Sequence, residues 1–258
     1  MYTFIFRFHK MKIPREVINV NWLKKLFSKK KQNDMPIKKQ EPERKDYTVK
    51  LRVNEPSTIT FSAEFKETKH ATNNDKKYLK YTKTRKFVTD FTVLDFETTG
   101  LDAEKNSIIQ IAAVKYRTFE KKEEFFTYIN PIENIPANVT RITGITNEHV
   151  EDAPYLGDKL FELVTFLEGE TIVAHNAPFD MKFLLEKLHI YKMPFIEYRV
   201  IDTLSLARKF ITTTQNHKLD TLKKFLKLDE LKSHDTLHDC YVTAELYKYC
   251  YEENLIKN

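Results

Sequence analysis

What constrains this chain most is the order of its apolar runs between Phe91 and Glu252. Three segments of strand length come first, at 91–96, 108–117 and 123–129, and their short connections imply antiparallel neighbours. The pattern then alternates. Residues 156–167 repeat apolar side chains at helical spacing, 171–175 reads as a strand, Pro178 opens a helix to Leu188, and a short strand lies near 199–201. Helical patterns follow at 203–210, 219–226 and 235–252. Strands first and helix–strand alternation afterwards predict an α/β fold, a central sheet flanked by helices.

Residues 1–86 are of another kind, and the composition changes abruptly at Phe87, where the sequence places a domain boundary. Trp22 to Phe27 has the makings of a short basic amphipathic helix, and Lys29 to Arg44 reads as a charge-rich linker. Alternation at 47–53 and 58–65, with Asn54-Glu55-Pro56-Ser57 between, suggests a strand pair within 47–65 in an otherwise partly disordered extension. Residues 1–90 hold 23 Lys/Arg against 10 Asp/Glu, so the overall +6 divides into a +13 arm and a −7 body. Such an arm favours a polyanionic partner, nucleic acid or anionic membrane surface; the alternative is a solvated tail.

Four glycines and nine prolines without a repeating period exclude collagen and low-complexity classes, and 41% apolar residues suffice for a sizeable core. No apolar run approaches the ~20 residues of a membrane span. Cys240 and Cys250 fall within one predicted helix, ~15 Å apart at ~1.5 Å per residue, too far to bridge. These features predict a soluble, reduced, cytoplasmic protein without stable membrane association.

Three segments carry candidate chemistry. In Asp95-Phe96-Glu97-Thr98-Thr99-Gly100 the two acids share one face of a strand end. Carboxylates so close resist joint ionisation unless a cation lies between them, which points to a hard divalent ion such as Mg²⁺ or Mn²⁺. The alternative is two exposed acids on an edge strand. In His175-Asn176-Ala177-Pro178-Phe179-Asp180 a strand runs into a helix whose first turn holds Asp180, where an acid also suits the helix dipole. His175 and Asn176 are placed to bond a ligand or to tie down the turn. In His234-Asp235-Thr236-Leu237-His238-Asp239 the helical projection sets Asp239 with Val242, Leu246 and Cys250, a costly place for an unpaired charge. Asp235 reads as an N-cap, and His234 as a base or a loop histidine.

Together these segments resemble the DEDDh exonuclease pattern: Asp-x-Glu on a strand, His-Asn-x-x-Phe-Asp at a helix start and His-x-x-x-x-Asp in a late helix. That family includes the proofreading (epsilon) subunit of bacterial DNA polymerase III and the exonuclease segment of the Gram-positive replicative polymerase. The resemblance covers about 91–252, and residues 135–146 look like the family's loop before its first helix. It implies a ribonuclease H-like fold with a five-stranded mixed sheet over 87–258. It further implies that Asp95, Glu97, Asp180 and Asp239 hold two divalent ions and that His234 is the general base. Thr98, Thr99, His175, Asn176 and Phe179 match positions near the terminal nucleotide. The expected activity is 3′–5′ hydrolysis of DNA to nucleoside 5′-monophosphates in proofreading or repair, with a replicative polymerase as a conceivable partner. An exoribonuclease and a catalytically silent nucleic-acid-binding module are the alternatives; residues 1–86 match nothing in the family.

Overall fold

The computed structural model describes residues 2–6, 50–53 and 59–65 by their backbone pairing, and residues 80–193, 196–233 and 235–257 in full. The chain divides into two compact units, Met1–Asp75 and Lys76–Asn258. In the first, β1 (Tyr2–Phe6), β2 (Lys50–Val53) and β3 (Ile59–Phe65) form an antiparallel sheet of order β1-β3-β2. The β2–β3 pairing falls within the 47–65 segment, and the chain's apolar first residues add a third strand that the sequence pattern did not announce. The basic segment 22–27 and the linker after it lie outside the described residues.

The second unit contains β4 (Thr82–Lys83), β5 (Phe91–Thr98), β6 (Ile108–Arg117), β7 (Glu120–Tyr128), β8 (Thr171–Ala174) and β9 (Arg199–Asp202) in one mixed sheet of order β4-β9-β8-β5-β6-β7. The first four in that order run parallel, and β6 and β7 are antiparallel to their neighbours. The sheet therefore has six strands rather than the expected five. The addition is a two-residue exposed strand held by backbone bonds, Thr82 N to Tyr198 O at 2.8 Å and Thr84 N to Val200 O at 2.9 Å. Backbone pairing needs no apolar pattern, so this strand left no trace in composition. It also places Thr82 and Lys83, which precede Phe87, in the sheet of the second compact unit.

The helices are α1 (Ala137–Thr143), α2 (Asn147–Val150), α3 (Leu156–Phe166), α4 (Pro178–Ile190), α5 (Thr203–Phe210), α6 (Leu219–Phe225) and α7 (Thr236–Lys257). The segment expected to be a loop, 135–146, instead contains α1. Val139 packs there with Ile135, Ile145 and Val150 around Ile109. Gly144, at φ 73°, ends the helix in the left-handed conformation, its N–H bonded to Thr140 O at 2.8 Å. Among the described residues no helix is long and apolar enough to cross a membrane. Both cysteines are free and buried.

Two cores sandwich the sheet. Leu94, Phe96 and Ile111 face α3 and α4, through Leu160, Leu163, Met181 and Leu184. Phe91, Val93 and Val114 face α5, α6 and α7, through Leu206, Leu222, Leu246 and Tyr247. Burial of β5 and β6 on both faces explains their unbroken apolar runs. By contrast β7, Glu-Lys-Lys-Glu-Glu-Phe-Phe-Thr-Tyr, is an exposed edge whose charges discourage pairing with another chain.

Candidate active site

Strand alternation sets the site. Phe91 and Val93 face α7, so Asp95 and Glu97 continue that face beyond the apolar run. There they meet Asp239 on the first turn of α7, and carboxylate oxygens of the three acids all lie within 4.8 Å of one another. A bulge follows immediately, between Glu97 and Thr98. Asp180, on the first turn of α4 and only 2% exposed, lines the same cleft. Its Oδ1 accepts a bond from Phe96 N at 3.2 Å, tying α4 to β5 between the two strand acids.

Two local devices hold Asp239 in place. Asp235 Oδ1 accepts from His238 N at 3.3 Å, the N-cap arrangement expected for it. Gln110, directly across β6 from Glu97 and buried, accepts a long 3.4 Å bond from Thr236 N. On the other side of the helix start, His238 Nδ1 accepts from Lys232 N at 3.0 Å.

The cleft, about 730 Å³ in volume, also receives His175, Asn176 and Phe179. Asn176 is exposed in the left-handed region at φ 62°, a conformation asparagine tolerates better than most residues. Phe179 is half-buried, its ring 5.1 Å from that of Phe183. His175 uses both ring nitrogens internally, Nδ1 with Thr203 Oγ1 and Nε2 with His217 O, each at 3.0 Å. A carbonyl only accepts, so Nε2 carries the proton, and burial holds this imidazole below its ordinary pKa. His175 therefore secures the wall of the cleft.

Thr98 and Thr99 are not brought into the cleft. Thr98 Oγ1 donates to Gly100 O at 2.7 Å, while Thr99 Oγ1 donates to Glu133 at 3.0 Å and accepts from Ser107 N at 2.9 Å. His234 lies outside the described residues. Sequence reasoning missed Arg208, Asn216 and Lys218, which line the cleft without belonging to any motif. Gln110 did leave a signal, as a polar residue inside the apolar run Ile108-Ile109-Gln110-Ile111.

The acids raise one another's proton affinity. Burial, then Asp180, Asp239 and Glu97, push Asp95 well above the usual carboxylate range. Burial, followed by Asp239 and Asp235, lifts Glu97 from 4.5 to about 7. Asp180 is also raised by burial, against the bonds it accepts from backbone N–H groups. The donors are all hard oxygens and the charges are uncompensated by one another, so the set fits a divalent cation of the Mg²⁺ or Mn²⁺ type.

A stability experiment reads this directly. Because the folded chain holds Glu97's proton more tightly than the unfolded chain, the folded form binds more protons between pH 4.5 and about 7. Metal-free stability should fall as pH rises through that window, by roughly 3 kcal/mol from Glu97 alone. Mn²⁺ should accordingly raise the thermal midpoint more at pH 8 than at pH 5, and Glu97→Gln should shrink the difference. An Mn²⁺ effect equal at both pH values would contradict the cation site.

The RNase_T model, described as an exonuclease, matches residues 92–247. This chain belongs to that exonuclease family. The matched exonuclease domain contains Asp95, Glu97, Asp180 and Asp239, and the family's hydrolases are metal-dependent. It is 37% identical over 158 residues to a PolC-type DNA polymerase III of Caldanaerobacter subterraneus subsp. tengcongensis, covering 61% of this chain and 11% of that protein. The corresponding protein of Thermotoga maritima is 40% identical over 159 residues, with the same coverage. The chain thus spans about a ninth of the length of these curated relatives.

Among solved structures, E. coli exonuclease I in complex with a dT13 oligonucleotide superposes at a TM-score of 0.56 with 17% identity, covering 65% of this chain and 42% of that one. Cell-death related nuclease 4 superposes at 0.52 with 18% identity, covering 64% of each. The exonuclease domain therefore has the ribonuclease H-like exonuclease fold that its motifs implied.

Proposed function

We propose that this exonuclease domain removes nucleotides from the 3′ end of DNA, releasing nucleoside 5′-monophosphates, in proofreading or repair in the cytoplasm. The observation that carries the proposal is the convergence of Asp95, Glu97 and Asp239 within 4.8 Å at one end of a cleft large enough for a nucleotide. Asp95, Glu97, Asp180 and Asp239 are the residues that would hold two Mg²⁺ or Mn²⁺ ions. Bound there, such ions would supply Lewis-acid chemistry, polarising the phosphoryl oxygens and acidifying a water for attack.

The chain's own residues do the remaining work. His234 takes the proton of the attacking water, a role for which an imidazole's near-neutral intrinsic pKa is suited. Phe179 offers a ring face to the terminal base, and Asn176 a side-chain amide at the strand end. Thr98 and Thr99 act from behind, fixing the turn after Glu97. Similarity to polymerase-sized relatives supports a replicative polymerase as partner.

One assay tests the assignment. Single-stranded DNA, duplex DNA and RNA, each labelled at the 3′ or 5′ end, are incubated with and without Mg²⁺ or Mn²⁺. Metal-dependent release of mononucleotides from the 3′ end of DNA is the expected result. Preference for RNA would make the chain an exoribonuclease, and binding without turnover would make it a silent nucleic-acid-binding module.

The basic character of the first unit, 17 Lys/Arg against 9 Asp/Glu over residues 1–75, motivates a second expectation. Removing residues 1–75, the first unit, should weaken DNA binding and flatten its salt dependence, since log affinity falls with log salt in proportion to the phosphates neutralised. The salt slope of binding by fluorescence anisotropy checks this; an unchanged slope would make the arm a spacer or protein-docking element.

A further inference from the structure

Among the described residues the cleft is lined by five carboxylates, Asp95, Glu97, Asp180, Asp220 and Asp239, but by two permanent cations, Arg208 and Lys218. A polyanionic strand can approach the acids only where cations offset them. The four acids of the candidate metal set would be neutralised by bound ions, which would serve the phosphate being cut. Phosphates farther along the strand need other partners.

Arg208 and Lys218 are suited to this. Both are exposed, and neither joins an ion pair among the described residues, whereas Arg117 is held bidentate by Glu170 at 3.0 and 2.6 Å. Arg208 stands on the last turn of α5, and the connection between α5 and α6 that presents Lys218 is itself fastened. His175 Nε2 donates to His217 O, and His217 Nε2 donates to Ile211 O at 2.8 Å. Asn216 Oδ1 accepts from Lys218 N at 3.0 Å and from Thr221 Oγ1 at 2.8 Å. A segment pinned at both ends loses little conformational freedom when a ligand arrives, so its cations contribute more of their attraction to binding.

We infer that Arg208 and Lys218 form the strand-holding site of the cleft, gripping backbone phosphates of single-stranded DNA on the 5′ side of the bond to be cut. The inference rests on the proposed 3′-exonuclease reading and deepens it by naming the residues that hold the substrate strand. It assigns His175 a positioning part: it fastens the connection that carries Lys218.

The test uses the full chain and a 3′-labelled oligothymidylate in Mn²⁺. Arg208→Ala combined with Lys218→Ala should raise KM at least tenfold, more than it lowers kcat, with the thermal midpoint retained. The slope of log kcat/KM against log salt should become shallower by about 0.7 for each phosphate no longer held, about 1.4 for the pair. Arg208→Lys with Lys218→Arg should keep most of the wild-type slope. An oligonucleotide with neutral methylphosphonate linkages 5′ of the terminal bond should raise KM for the wild-type chain and add little in the double variant.

Unchanged KM and slope in the double variant, or equal penalties from methylphosphonates in both proteins, would overturn the site. If the wild-type chain released nothing from the 3′ end, the exonuclease reading would fail. The salt slope of oligothymidylate binding by anisotropy, wild type against double variant, would still decide whether the pair grips the strand.

Discussion

Replacing Glu97 by alanine is expected to lower nuclease turnover by several orders of magnitude while raising the stability of the metal-free chain at pH 8. The two effects have one cause. Glu97, Asp95 and Asp239 crowd their oxygens within 4.8 Å, and burial with the neighbouring acids lifts Glu97 to about 7. At pH 8 its ionised form is therefore a cost to the folded state. Asp95→Ala should behave in the same way, since Asp95 is pushed up by burial and by four other acids, Asp180, Asp239, Glu97 and Asp235. Glu97 and Asp95 are cleaner tests than Asp180, whose Oδ1 also serves the backbone N–H of Phe96. The measurements are single-turnover hydrolysis of a 3′-labelled oligonucleotide and thermal unfolding in EDTA. A folded Asp95→Ala, Glu97→Ala double variant with near wild-type turnover would remove these acids from the chemistry, and EDTA should mimic their loss.

The parts of the fold legible in the sequence are those that bury apolar runs. β5 and β6 are covered on both faces, so residues 91–96 and 108–117 announce themselves, and α3, α4 and α7 show their buried side chains at helical spacing. The parts that were hidden are held by other means. Thr82–Lys83 joins the sheet through backbone bonds and one side-chain bond, Thr82 Oγ1 to Glu197, with no buried residue of its own, and α1 commits only Val139 and Thr143 to the interior over seven residues.

The site divides similarly. Asp239 was visible because a charge in phase with Val242, Leu246 and Cys250 demands a partner, and all three neighbours are indeed buried. Thr98 and Thr99 follow the acids in sequence, but the bulge after Glu97 and the turn at Gly100 direct their hydroxyls elsewhere. A Cβ on Gly100 would come within 2.6 Å of the Asn106 amide, so a larger residue there would require that side chain to move. Arg208 and Lys218 come from a helix and a connection with no shared period, and only the fold reveals that they line one cleft.

His234→Ala should slow turnover by roughly 10²–10⁴-fold, the usual contribution of general-base help, while metal binding persists. The competing histidine, His238, is four residues away in sequence. His238 stands on the third position of α7, its Nδ1 accepting from Lys232 N and its ring 6.1 Å from that of Tyr241, and it does not line the cleft. Its replacement should leave kcat nearly unchanged and alter stability by no more than the bond to Lys232 contributes, about 1 kcal/mol. In sequence His234 immediately precedes the N-cap Asp235 and is followed by α7 from Thr236. Loss of His234 should also remove the acidic limb of the pH–rate profile, where protonation of an imidazole base silences the wild-type enzyme. The Mn²⁺ dependence of the thermal midpoint at pH 8 should survive in His234→Ala and disappear in the Asp95→Ala, Glu97→Ala double variant. That contrast distinguishes a proton acceptor from a metal ligand. A crippled His238→Ala beside an active His234→Ala would reverse the assignment and require the base to come from the helix.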